Sequence, residues 1–65
     1  MTEKVEKLIR EIEELKLLEE EAAKLYRSII PSISDLGDKK ILEDIAQDEV
    51  RHARMAQAVV DILKS

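Results

Sequence analysis

Glu49 and His52 stand three residues apart in the stretch IAQDEVRHA, residues 45–53, and both interrupt a run of apolar residues at helical spacing. Residues i and i+3 share a helix face, so this pair offers a carboxylate and an imidazole to one point in space. The combination suits a divalent transition metal. Hard carboxylate oxygens stabilise its higher oxidation state, and a neutral ring nitrogen limits the charge collected around it. Glu19, thirty residues upstream of Glu49, is a third candidate, because it too is a charged residue where an apolar one is expected.

Those residues have to be carried by helices. On the alternating 4/3 spacing of a packed seam, a first segment places Val5, Leu8, Ile12, Leu15, Glu19, Ala22, Tyr26 and Ile29 on one face. A second segment places Leu42, Ile45, Glu49, His52, Ala56, Val59 and Leu63 on one face by the same rule, flanked by Ile41, Ala46, Ala53, Met55, Val60 and Ile62. Between them, the cluster PSISDLG gathers the only proline and the only glycine of the chain, which is how a connection reads. The sequence therefore predicts one all-α domain over residues 1–65: a helix over about 3–30, a loop over about 31–37 and a helix over about 38–63. Thr2, and Asp35 or Asp38, are the expected helix caps.

The second helix is apolar over an arc too broad for one neighbour to cover. An antiparallel two-helix hairpin of this kind leaves oily surface in water, and pairing two hairpins into a four-helix bundle removes it. A homodimer or larger homo-oligomer is the expected state. Leu17 and Val50 fall on outward sides and mark possible contacts between dimers.

Composition narrows the chemistry. The chain has 65 residues, of which 45% are hydrophobic and 40% charged, and it contains no cysteine, phenylalanine or tryptophan. Without cysteine there are no disulfides, zinc–thiolate sites, iron–sulfur clusters or thiol nucleophiles. Below about 70–80 residues a lone core seldom suffices, which leaves metal binding or self-association as the source of stability. A net charge of −4 disfavours nucleic acid and favours cations. No apolar run reaches the roughly 18 residues of a membrane span and no signal-type segment is evident, so a cytoplasmic location is expected.

In a hairpin turning near Ser34, Glu19 and Glu49 are level, each about 22 Å from the turn at a rise of about 1.5 Å per residue. His52 is one turn further on the same face. A twofold partner doubles the layer to four carboxylates and two imidazoles inside a bundle. So much buried negative charge is costly unless cations neutralise it, and a pair of divalent ions does so.

Glu19-x-x-Ala22-x-x-x-Tyr26 followed by Glu49-x-x-His52 resembles the half-site of the rubrerythrin branch of the ferritin-like superfamily. It is most similar to the encapsulated ferritins, whose two-helix subunits dimerise to rebuild a ferritin-like four-helix bundle. The resemblance implies that Glu19, Glu49 and His52 are iron ligands, with Glu49 bridging, and that two Fe ions are shared per dimer. It further implies that Tyr26 is a phenol beside the ligands, hydrogen-bonding a carboxylate or donating an electron. The activity it implies is ferroxidase: oxidation of Fe(II) to Fe(III) by dioxygen or hydrogen peroxide, in iron handling or storage. Manganese accepts the same ligands. The family also implies an encapsulin-type protein shell as partner, although this chain shows no targeting tail. Nearby Glu20, Glu21 and Asp48 would draw Fe(II) in by their field. Two other readings fit the same residues. One is a rubrerythrin-like peroxidase fed by an external reductant. The other is a non-enzymatic dimerisation module whose polar layer fixes register.

Overall fold

The two helices begin at caps of the expected kind. In the computed structural model, which describes residues 2–65, the Thr2 hydroxyl accepts a hydrogen bond from the Val5 amide at 3.2 Å and opens helix α1, Glu3–Ile29. The Asp35 carboxylate accepts from the Asp38 amide at 2.9 Å and opens helix α2, Leu36–Lys64. Acidic Glu3 and Glu6 in the first turn of α1, and Arg27 in its last, also complement the helix dipole.

The connection is shorter than the expected 31–37. Ile30–Ser32 form one 3₁₀ turn closed by a bond from the Ile33 amide to the Ile30 carbonyl, and α2 starts at Leu36. Gly37 thus lies in the first turn of α2, not in a loop, and its φ is not positive. What its size provides is room, since a Cβ there would meet the capping carboxylate of Asp35 at 3.1 Å. The result is an antiparallel two-helix hairpin whose backbone extends 51 × 14 × 10 Å.

Packing within the hairpin is rotated from the seam expected from sequence. The most buried residues are Ile9 and Ala23 on α1 and Ala46, Ala53, Ala56 and Val60 on α2. Ala46, Ala53 and Val60 were expected only as flanks of that seam. Leu8, Leu15 and Ile29, and opposite them Ile45 and Val59, were expected inside it and remain exposed. The physical reason is side-chain size. Alanines let two helices approach closely, whereas Leu and Ile facing each other would hold them apart. The line 46–53–60 closes the hairpin, and Ile45, His52 and Val59, one position before it, are left exposed.

That leaves six apolar residues buried and twelve large ones exposed among the described residues, too small a core to stand alone. The accessible surface is 5023 Å². A compact monomer of this mass should expose about 4,200 Å², so the excess is about 800 Å², roughly what one partner contributes to a standard interface. The exposed aliphatics of the hairpin point to a partner.

Candidate metal centre

Two parallel lines run along each helix, seven residues between successive members. On α1 the line through Ile9, Lys16 and Ala23 packs against α2, and the line through Leu8, Leu15, Ala22 and Ile29 borders the open side. Glu19 falls between them, four residues from Leu15 and four from Ala23, and is half-buried. On α2 the buried line is Ala46, Ala53 and Val60, and the open line is Ile45, His52 and Val59. Glu49 falls between these two, three residues from Ala46 and three from His52, and is also half-buried. His52 is exposed, the middle member of an open line that is otherwise aliphatic.

Cross-helix bonds enclose this segment at both ends. On the turn side, the Arg27 guanidinium donates to Glu43 at 3.2 Å and to Gln47 at 3.3 Å. Toward the open end, Lys16 Nζ donates to Gln57 Oε1 at 2.9 Å. Glu19 lies between Lys16 and Arg27, and both Glu49 and His52 lie between Gln47 and Gln57. The three candidates therefore share one stretch of the hairpin.

One atom within that stretch is out of balance. Glu19 Oε2 is buried and has no hydrogen-bond partner. Leaving a buried acceptor unmatched costs about 1–3 kcal/mol, and more when it is charged. A donor or a cation brought to this oxygen would match it. The donor types in this stretch, the carboxylates of Glu19 and Glu49 and the imidazole of His52, are of the kind that fits iron or manganese.

A single chain does not complete such a site. Among the described residues no group of three or more His, Cys, Asp and Glu side chains is placed to hold a metal ion. Glu19, Glu49 and His52 thus do not converge into a closed ligand set within one hairpin. Tyr26, seven residues from Glu19 toward the turn, is half-buried on the same side.

The neighbouring acids are disposed differently from one another. Asp48 is engaged by Arg51 at 3.5 Å and Glu21 by Lys24 at 3.7 Å, both exposed pairs of little energetic weight. Glu20 faces away, into a groove on the other side of the hairpin that Lys16, Lys24, Arg27 and Arg54 also line. Drawing Fe(II) toward Glu19, Glu49 and His52 is therefore not a role its position favours. The cationic character of that groove was missed from sequence. Its signal is the recurrence of Lys16, Lys24 and Arg27 along one side of α1.

No protein-family model matches the chain, and neither a curated protein nor a solved structure matches it. The chemistry of the centre rests on its own residues. No helix among the described residues is long and apolar enough to cross a membrane.

Proposed function

We propose that two copies of the hairpin pair through their open aliphatic faces into a ferritin-like four-helix bundle. Glu19, Glu49 and His52 of each copy then form a layer that binds two iron ions and oxidises Fe(II) to Fe(III). The observation that carries this reading is the orphaned Glu19 Oε2, on the α1 residue that borders the open face, in the same stretch of the hairpin in which α2 exposes His52 between Ile45 and Val59. Burial of His52 beneath a second copy is tolerable only if its nitrogens acquire partners, and a shared cation supplies one. Each Fe(II) gives up one electron to dioxygen or hydrogen peroxide, and the carboxylates hold the product because hard oxygen donors favour Fe(III).

An anaerobic Fe(II) titration with the native mass measured in parallel tests the proposal. About one tight iron per chain in an even-numbered assembly, lost in Glu49→Ala, is the expected result. A well-folded oligomer without tight iron would overturn it. Comparing dioxygen with hydrogen peroxide as oxidant then separates a ferroxidase from a peroxidase served by an external reductant.

A second reading rests on the exposed aliphatic residues alone: a helical dimerisation module whose polar layer fixes register. Glu49→Leu with His52→Leu divides the two. Loss of defined association with metal affinity unchanged favours the module, and loss of metal with an intact dimer favours the iron protein.

A further inference from the structure

The side of the hairpin turned away from the metal layer carries a groove of about 380 Å³ between the helices. Its floor is Ala23, Val50 and Ala53, and its walls carry Lys16, Lys24, Arg27 and Arg54. Glu20 is the one carboxylate in the lining. Four cations around an apolar floor are unexpected on a chain of net charge −4. Arg54 enters none of the ion pairs among the described residues, and the Lys24–Glu21 pair is exposed enough to exchange partners easily.

Beside the groove stands its complement. Leu17 is 62% exposed, and its neighbours three and four residues away on the helix are Glu13, Glu14, Glu20 and Glu21. An aliphatic knob ringed by four carboxylates thus adjoins an apolar hollow ringed by four cations. Both belong to the outer side of one hairpin, and Lys16 and Glu20 join them directly. An outer face carrying knob and hollow side by side is self-complementary, which is what a twofold contact between identical chains requires.

We infer that this outer face is a second self-association surface, in which Leu17 of one hairpin enters the Ala23–Val50–Ala53 hollow of another and the two charge rings pair. The contact goes beyond the metal-bearing pairing and uses the opposite side of the chain. Alternation of the two contacts builds assemblies larger than a dimer, as a closed ring or a filament according to the angle between them.

Sedimentation of the full chain tests it, with helical circular dichroism as the folding control. The wild type should have a mass well above twice the 7.5 kDa of one chain. Leu17→Glu and, separately, Arg54→Glu should reduce it to the dimer with helicity retained, while Lys40→Glu, the same charge change outside the groove, should not. Raising salt from about 0.1 M to about 1 M, which shortens the Debye length from about 10 to about 3 Å, should also dissociate it. A wild type that Leu17→Glu splits from dimer to monomer would uphold the groove contact and count against the metal-bearing pairing. A wild-type dimer left intact by Leu17→Glu, or a larger assembly indifferent to both groove variants, overturns the inference.

Discussion

Lys16 and Gln57, forty-one residues apart in the chain, are joined at 2.9 Å by the cross-helix bond nearest the open end of the hairpin. The bond is part-buried, and Gln57 also donates to Asp61 at 2.9 Å, so one side chain links both helices and its own next turn. Gln57→Leu should cost about 1 kcal/mol in chemical denaturation, the usual net worth of such a bond. A change within experimental error would mean that water replaces the contact.

The orphaned oxygen of Glu19 gives a prediction in which stability and binding move oppositely. Glu19→Met removes the unmatched carboxylate while keeping a side chain of similar length. The metal-free protein should become more stable, by about 1–3 kcal/mol if the whole penalty is relieved. Metal-induced stabilisation should disappear in the same variant. Thermal melts with and without Fe(II) or Mn(II) read both effects, and a less stable metal-free variant would contradict the imbalance described above.

Metal itself should act as a folding ligand. At a free concentration one hundred times the dissociation constant, a site present only in the native state adds about 2.7 kcal/mol. Adding a chelator should return the melting temperature to its metal-free value. His52→Ala should abolish the difference between the two melts.

Ile45 and Val59 border His52 on the open face. In a lone hairpin, Ile45→Glu would be a surface change worth less than about 0.5 kcal/mol. In a paired one it places a charge in a dry interface. We expect a monomer of reduced stability, and a wild type whose melting temperature rises with protein concentration. Concentration-independent melting would rule out pairing through this face.

Ala46 is fully buried and Ala53 nearly so. Ala46→Leu should force the helices apart and cost about 1–3 kcal/mol. Leu25 is 65% exposed and belongs to neither proposed contact, so Leu25→Ala should leave the stability nearly unchanged. The contrast, read by urea denaturation, checks that the alanine line is the true contact surface.

The helices, their caps and the antiparallel pairing were legible because apolar periodicity and breaker residues act locally. The start of α2 was misplaced by two residues because Gly37, ordinarily a turn signal, is accommodated inside a first helical turn beneath the Asp35 cap. Which apolar line faces which neighbour was less legible. The 4/3 spacing marks a wide arc, and only the close approach permitted by Ala23, Ala46 and Ala53 selects the part of it that closes the hairpin. Glu19 was legible as a seam residue that should be hydrophobic, but its unmatched oxygen emerges only once both helices are in place.

The thinness of the hairpin has a consequence for exchange with solvent. In a lone copy, only 14 × 10 Å across, hydrogens should exchange through fraying from either end, with no more than a shallow rise in protection toward the middle. Strongly protected amides around residues 19–23 and 49–53 would therefore be a property of the assembly, and their lifetimes would report how often it comes apart.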